Sequence, residues 1–200
     1  MFKKIILMAL VLGATGCATA PKMAVSPNQT ITKPSAQESQ VIFMRSSFVG
    51  SAIDASLFDV TNGNLEFIGI ISNATKVAYT TKPGKHTFMV VSEAADFMEA
   101  DVAAGKNYYS VVTPRMGVWA ARFSLWPIKN DKSAEYNTSM PEFSQWLAAT
   151  KLTTNTPASR EWFQKNKAKI MERHNKYMAE WKSTTGENLK KRTLDSQDSY

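Results

Sequence analysis

Between residues 41 and 129, apolar and polar side chains alternate with a period of two, and turn-forming residues interrupt the alternation at short intervals. Successive side chains of a β-strand point to opposite faces of a sheet, so this pattern indicates strands that bury one face. Strands that follow one another without intervening helices favour hairpins over a parallel α/β sheet. We therefore predict a mainly β fold, an antiparallel β-sandwich of about eight short strands, with a half-open barrel as the alternative. The predicted strands are 41–45, 53–60, 65–71, 75–81, 86–91, 98–103, 107–113 and 118–126.

Short turn segments separate several of these strands. They are Asn62-Gly63-Asn64, Lys82-Pro83-Gly84-Lys85 and Gly105-Lys106. Proline presets the φ angle of a turn, while glycine and asparagine tolerate positive φ, so each segment can reverse the chain. The strand at 86–91 is apolar on both faces, which predicts a position in the middle of the sandwich.

In the predicted strand 98–103, residues 98–102 alternate between apolar and acidic side chains. The apolar ones are Met98, Ala100 and Val102, and the acidic ones are Glu99 and Asp101. A sheet with one face in water has this pattern. We therefore interpret the acidic set of Glu93, Asp96, Glu99 and Asp101 as a wet strand face; the alternative, a calcium site, normally has a glycine-punctuated Asp/Asn loop.

The C-terminal part of the chain has helix signals. Ser139 and Glu142 have the spacing of a capping box, which predicts a short helix. Thr156 followed by Pro157 predicts the start of a longer helix that ends near Lys182. Its apolar stripe consists of Phe163, Ile170, His174, Tyr177 and Trp181, with Met171 and Met178 beside them. We predict a helical extension of two helices over 139–182 and a polar, disordered tail over 183–200.

The N-terminus has the parts of a secretory signal peptide. Lys3 and Lys4 precede an apolar run over 5–12, and small residues follow up to Gly16. The run is less than half of the about 20 apolar residues that a membrane-spanning helix needs. We therefore predict that residues 1–16 are a cleaved signal peptide.

The segment Leu12-Gly13-Ala14-Thr15-Gly16-Cys17 resembles the lipobox of bacterial lipoproteins. The resemblance implies that Cys17 becomes the N-terminus, carries a diacylglyceryl group on its sulfur and is acylated on its nitrogen by a fatty acid such as palmitate. Two or more acyl chains hold a protein stably on a membrane. By the sorting pattern of such lipoproteins, Ala18 instead of aspartate after the cysteine implies the outer membrane. The alternative is an ordinary signal peptide with a chance cysteine.

Residues 17–40 have a different composition from the rest of the chain. They are rich in Pro, Ser, Thr, Gln and Lys, which cannot bury enough apolar surface to offset chain entropy. We predict a flexible tether that reaches roughly several tens of ångströms from the bilayer. The alternative is a short ordered edge strand near Ala24 and Val25.

Three stretches of the alternating region resemble a known family. They are Val41-Ile42-Phe43-Met44-Arg45, Lys82-Pro83-Gly84-Lys85-His86-Thr87-Phe88 and Ala104-Gly105-Lys106-Asn107-Tyr108-Tyr109. Over 41–128 the chain resembles small bacterial lipoproteins with a β-sandwich domain of unknown function, which is similar to PEGA and carboxypeptidase-regulatory-like sandwiches. The resemblance implies an envelope accessory or binding domain over about 41–130, and it carries no catalytic residues.

Positive charge is concentrated near the C-terminus. Residues 17–150 hold eleven basic and eleven acidic side chains, whereas residues 151–200 hold eleven basic and six acidic ones. The excess could contact an anionic envelope component, such as phospholipid, lipopolysaccharide phosphate or peptidoglycan. The candidate residues are Lys165, Lys169, Lys176, Lys190, Lys191 and Arg192. The alternative is a solvated helix face followed by a basic tail.

The sequence offers little support for a disulfide, a metal site or a catalytic site. The single cysteine, Cys17, allows neither an intramolecular disulfide nor a cysteine-based zinc site. We interpret His174 as a packed, hydrogen-bonded side chain of the apolar stripe and His86 as a strand-start residue. The methionines lack a repeated spacing and are attributed to core filling instead of copper binding. We expect no metal, no cofactor and no catalytic residue.

These observations predict a lipid-anchored accessory or binding protein of the cell envelope, located at the outer membrane and facing the periplasm. It would act without catalysis, as a tethered interaction module for an envelope protein or peptidoglycan partner, and its compartment excludes nucleic acid. An alternative is a binder of peptidoglycan or anionic lipid through the basic C-terminal helix. A second alternative is a hydrolase without a recognisable motif.

Overall fold

The computed structural model of the protein describes residues 21–115 and 122–200. These residues form eleven strands and three α-helices, so the predicted mainly β fold is confirmed. The strands are β1 (Met23–Val25), β2 (Ser39–Arg45), β3 (Ala55–Asp59), β4 (Glu66–Ile71), β5 (Thr75–Thr81), β6 (Gly84–Val91), β7 (Ala95–Val102), β8 (Lys106–Arg115), β9 (Arg122–Ile128), β10 (Lys151–Asn155) and β11 (Thr193–Leu194). The helices are α1 (Pro141–Ala149), α2 (Pro157–Trp181) and α3 (Gly186–Lys191).

The strands make two sheets that pack face to face. One sheet has six strands in the order β1-β10-β5-β2-β8-β9, and the other has five in the order β11-β7-β6-β3-β4. Three hairpins are antiparallel, namely β3 with β4, β6 with β7 and β8 with β9. Three pairs are parallel, namely β2 with β8, β5 with β10 and β7 with β11. Both sheets are therefore mixed.

The prediction of a purely antiparallel sandwich with about eight strands is thus wrong in two respects. The turns before β6 and before β8 carry the chain from one sheet to the other, because a turn sequence sets a local reversal and not the partners of the strands it joins. This crossing brings β2 and β8 side by side in parallel. The additional strands β1, β10 and β11 come from short segments outside the alternating region.

The main core lies between the two sheets. It includes Val41, Phe43, Leu57, Phe88, Val90, Met98, Ala100, Val102, Tyr108 and Leu125, all buried. Met98, Ala100 and Val102 of β7 point inward, as their alternation predicts, and Asp101 is exposed on the other face. The pattern of period two therefore identifies the inward face of this strand correctly.

Two helices cover the outer faces of the sheets. Helix α2 places Phe163 and Ile170 on an apolar cluster from β3, β6 and β7. Helix α1 places Phe143 on a second cluster, which consists of Ile42, Met44, Tyr109, Val111 and Ile128. Strand β6 is apolar on both faces because Phe88 faces the other sheet while Met89 and Val91 lie under α2. The molecule thus has four layers, with helices outside two sheets.

The two longer helices begin differently. Helix α2 starts at Pro157 with Thr156 as its N-cap, as predicted, and Ser159 completes a reciprocal capping box. Helix α1 starts at Pro141 after Met140, with no side-chain cap, so the capping box predicted from Ser139 is wrong. Proline at the first helical position requires no amide partner, and its fixed φ suits the start of α1.

Of the two segments predicted to be flexible, the described parts, 21–40 and 183–200, pack on the sandwich. Strand β1 pairs with β10, so the edge strand near Ala24 and Val25, the alternative to a tether, is present. The Thr156 hydroxyl oxygen lies 2.8 Å from the carbonyl oxygens of both Pro21 and Lys22, which ties this end of the chain to the first turn of α2. At the other end, α3 and β11 occupy much of the predicted disordered tail 183–200, and Leu194 is fully buried.

Candidate functional site

The residues singled out in the sequence lie in different environments. Cys17 is outside the described residues. The five lysines of the basic set are exposed: Lys165, Lys169 and Lys176 on α2, and Lys190 and Lys191 at the end of α3. Lys165 forms an ion pair with Glu161 one turn earlier, with 2.6 Å between Nζ and Oε1. Such exposed pairs contribute little stability, so these lysines remain solvated surface charges.

Arg192 differs from the lysines because its side chain is only 12% exposed. Its Nε donates to the Leu125 carbonyl at 2.9 Å, and its Nη2 donates to the Phe97 carbonyl at 2.7 Å and to the Asp96 carboxylate. Its guanidinium carbon also lies 4.5 Å from the ring centroid of Trp126 and 5.5 Å from that of Trp181. Aromatic faces attract a cation at these distances. Arg192 is therefore a fixed part of the fold, and its interpretation as a residue of a basic tail is wrong.

Asp96 holds two arginines at once. Arg115 approaches its Oδ1 at 3.4 Å, Arg192 binds its Oδ2, and the Leu125 amide donates to Oδ2 at 3.2 Å. Asp96 is buried, so its interpretation as part of a wet strand face is wrong. A buried carboxylate needs such partners because an unpaired charge away from water is costly.

Arg122 of β9 adds a further positive charge beside Arg115. Arg115 of β8 and Arg122 of β9 lie directly opposite each other in the antiparallel pair. Like charges in that position repel, and here the repulsion is relieved only in part by Asp96. This end of the sheet therefore carries excess positive charge.

These side chains line a cleft of about 370 Å³. Its charged lining consists of Arg115, Arg122, Lys191 and Arg192 against Asp96 and Glu180, and Trp126 and Trp181 are among its aromatic walls. We call it the arginine cleft. Arginines suit carboxylate and phosphate groups because the guanidinium donates two parallel hydrogen bonds. The cleft can therefore bind an acidic group beside an aromatic or apolar one.

A second polar cluster lies at the opposite end of the sandwich. The Nδ1 atom of His86 is 2.8 Å from Asp59 Oδ2, and its Nε2 atom is 2.8 Å from the carbonyl oxygen of Lys82. Thr61 donates to the other carboxylate oxygen at 2.5 Å, and the Tyr79 hydroxyl donates to Asp59 Oδ2 at 3.3 Å. The cluster borders an open cleft of about 490 Å³.

Both ring nitrogens of His86 therefore face acceptors. The hydrogen bond to Asp59 raises the pKa of His86, although burial acts against it. Burial would raise the pKa of Asp59, but the hydrogen bonds from His86 and Thr61 outweigh it and leave that pKa below its ordinary value. Because both ring nitrogens face acceptor oxygens, the environment favours the doubly protonated ring, which has no free lone pair with which to act as a general base.

The other candidate residues have structural roles. His174 is buried, its Nδ1 lies 3.0 Å from Asn175 Oδ1, and its ring meets Phe97 edge-on, so its interpretation as a packed side chain is confirmed. Glu99 accepts hydrogen bonds from Thr87 and Trp181. Within 21–115 and 122–200, no three His, Cys, Asp and Glu side chains are grouped to hold a metal ion. No helix in the same part of the chain has the length and apolar character to cross a bilayer.

Neither polar cluster was predicted from the sequence. Asp59 and His86 are 27 residues apart and meet only because β3 pairs with β6. Arg115 and Arg122 offered a usable signal, since two arginines that flank one hairpin face each other when the hairpin closes. The third arginine, Arg192, lies in the segment 183–200, for which the sequence predicts disorder, so the sequence does not place it.

Comparisons with protein-family models and with curated protein sequences found no match to this chain. The resemblance of residues 41–128 to small bacterial lipoproteins therefore stays a prediction.

Proposed function

We propose that the protein is a lipid-anchored binding protein of the cell envelope, held at the outer membrane on its periplasmic side by acyl groups on Cys17. The observation that carries the binding role is the arginine cleft, where Arg192 is held between two tryptophans while Arg115 and Arg122 face each other. We propose that an acidic group of an envelope partner, a protein or peptidoglycan, binds there. The signal and lipobox over 1–17 support the anchor.

The folded chain would lie close to the membrane. Only residues 18–20 separate Cys17 from Pro21, whose carbonyl oxygen is 2.8 Å from the Thr156 hydroxyl. Four Cα-to-Cα steps span at most about 14 Å. The proposed anchor therefore restricts the cleft to a thin layer above the bilayer, which raises its effective concentration for a partner in the same layer.

Two contacts favour binding over hydrolysis. Both ring nitrogens of His86 face acceptor oxygens, and Asp96 is occupied by two arginines. A hydrolase normally needs a general base with a free lone pair near a pocket, and these groups do not offer one. We therefore propose no catalytic step.

Crosslinking in intact cells tests this function. The lipidated protein, Arg122→Glu and a matched Arg160→Glu variant are treated with formaldehyde, and attached molecules are identified by mass spectrometry. Arg122 and Arg160 are both exposed arginines, but Arg160 lies on α2 away from the cleft. We expect a discrete adduct in the wild type and in Arg160→Glu that is lost in Arg122→Glu. An adduct that survives Arg122→Glu, or no adduct in any of the three, would contradict binding through the cleft.

A second candidate function is binding of anionic lipid through α2. The observation that favours it is the contact of Thr156 with Pro21 and Lys22, which ties α2 to the chain end nearest the proposed anchor. Electrostatic binding to phospholipid weakens as salt rises. We expect Lys165→Glu with Lys169→Glu to lower co-sedimentation with phosphatidylglycerol vesicles at low salt. Unchanged binding would remove this candidate and leave the arginine cleft untouched.

A further inference from the structure

The loop between β2 and β3 exposes large apolar side chains. Residues 46–54, which we call the apolar loop, include Phe48 with 93% of its surface exposed, Val49 with 53% and Ile53 with 41%. A single exposed apolar side chain is ordinary, but three large ones in a single loop make that loop a candidate contact surface.

Arg45, the last residue of β2, fixes the conformation of the loop. Arg45 is fully buried, and its guanidinium donates to the Ile53 carbonyl at 2.6 Å and to the Gly50 carbonyl at 2.5 Å. Its guanidinium carbon also lies 4.1 Å from the ring centroid of Phe123. Burying an arginine is costly unless its donors are satisfied, and here loop carbonyls accept from both Nη atoms while Nε is left without a hydrogen-bond partner.

Hydrogen bonds within the loop fix its tip further. The Ser51 amide donates to the Phe48 carbonyl at 3.2 Å, and the Ile53 amide donates to the Gly50 carbonyl at 3.0 Å. The Ser47 amide donates to the Asn73 side chain at 2.9 Å. Gly50 has a φ of +69°, a conformation that other residues rarely adopt. The exposure of Phe48 is therefore built into the fold and needs no rearrangement before contact.

The apolar loop shares one surface with the start of the described chain. Ile53 lines a cleft of about 190 Å³ together with Lys22, Lys169 and Arg173, and Asp54 and Glu93 also border it. Lys22 additionally lies 5.6 Å over the ring of Trp162 in α2. Ile53 of the apolar loop therefore shares one cleft with three cations, and one of them, Lys22, lies next to the start of the described chain.

The short distance along the chain from Cys17 to Pro21 indicates that a membrane lies close to this cleft. Cys17 lies four Cα-to-Cα steps before Pro21, at most about 14 Å away, so an acyl group on Cys17 would hold the bilayer close to Lys22 and the cleft that Lys22 lines. An apolar loop with lysine and arginine beside one of its ends, at Ile53, matches the interface of a membrane that carries anionic phosphates.

We propose that the apolar loop is a membrane-contact element: Phe48 and Val49 enter the headgroup region of the bilayer that holds the Cys17 lipid, while Lys22, Lys169 and Arg173 face lipid phosphates. This inference rests on the proposed lipid anchor. The contact fixes the orientation of the domain on the membrane, with the long helix α2 beside the bilayer.

A site-specific fluorescent label tests the contact. The chain has one cysteine, and its sulfur is blocked in the lipidated protein, so Phe48→Cys introduces the single reactive thiol. The matched control is Asn64→Cys, an exposed residue in the turn before β4 at the opposite end of the sandwich. Both lipidated variants are labelled with an environment-sensitive dye and incorporated into phosphatidylethanolamine and phosphatidylglycerol vesicles, with or without doxyl-labelled lipid.

We expect blue-shifted emission and strong doxyl quenching for the label at position 48, and neither for the label at position 64. In the otherwise unlabelled lipidated protein, Phe48→Ser should raise the rate of spontaneous transfer between vesicles by about tenfold, because roughly one buried aromatic side chain is lost from the interface.

Three results would overturn the inference. Vesicle-bound protein with an unquenched label at position 48 would refute the loop contact while leaving lipid anchoring intact. A blue shift at position 48 that depends on protein concentration without vesicles would identify a second copy of the chain as the occupant. Failure of the wild-type protein to acquire lipid at Cys17 would refute the anchor and the inference together, and a mass measurement recognises this case.

Discussion

The Asp59→Asn substitution should destabilise the protein and change its response to pH. Asp59 is 6% exposed at its side chain and His86 is 11% exposed, so the pair is shielded from water. Removing one partner of a buried ion pair costs about 3–5 kcal/mol. Asparagine can still accept from Thr61, and His86 can lose its proton, so we expect a loss of about 2–4 kcal/mol in the free energy of unfolding.

The direction of the pH dependence follows from the pKa shifts of both groups. The pKa of His86 is raised above its ordinary 6.5, so the stability it contributes is complete below pH 6.5 and is lost as the pH rises through the higher folded-state pKa. The pKa of Asp59 is lowered from 3.8, so its contribution is present above pH 3.8 and is lost as the pH falls through the lower folded-state pKa. The pair therefore stabilises the fold most between these two ordinary values.

Urea unfolding at about pH 6 and about pH 9 measures both effects. The wild type should lose stability between the two pH values, and Asp59→Asn should lose distinctly less. The matched control is Asp101→Asn, which removes an exposed carboxylate of β7 and should keep the wild-type slope. If Asp59→Asn and the wild type have parallel pH profiles, the His86 imidazolium is not held by Asp59 and the reasoning fails.

Three further substitutions, with Phe48→Ala as a control, test other parts of the fold by the same unfolding assay. Phe163→Ala should lower the free energy of unfolding by about 3–4 kcal/mol, because this buried ring anchors α2 on the sandwich. Phe48→Ala, at an exposed ring, should change it by less than about 0.5 kcal/mol. Equal losses would contradict the four-layer packing. Thr156→Ala removes the N-cap of α2 and should cost about 1 kcal/mol, and no loss would contradict the cap. Arg192→Ala should lower the free energy of unfolding by about 3 kcal/mol because it removes a partner of buried Asp96. A loss as small as that of a surface residue would show that Arg192 belongs to a solvated basic tail.

The sequence predicted the elements of this fold better than their arrangement. Strand β5 has the predicted bounds, and the Thr156-Pro157 signal gives the start of α2 correctly, because alternation and capping act within a few residues. The apolar character of β6 on both faces also predicted its central position. These features depend on local geometry that a short stretch of sequence encodes fully.

The parts that failed depend on contacts between distant residues. A short turn with Pro83 and Gly84 predicts a reversal, but in this fold it leads from one sheet to the other. β1 and β11 have three and two residues, too few to show any period, and their pairing stabilises them only when β10 and β7 are in place. The arginine cleft combines β7, β8, β9 and the segment after α3, so its formation requires the completed tertiary structure.

The most direct test of the central claim is the intact mass of the mature protein extracted from cell membranes, with Cys17→Ser as the comparison. The proposed anchor predicts a chain that begins at Cys17 and carries a diacylglyceryl group and a further acyl chain, and it predicts that Cys17→Ser leaves the membrane fraction. A mature protein that begins elsewhere without lipid, or a processed Cys17→Ser protein that stays in the membrane fraction, would contradict the account.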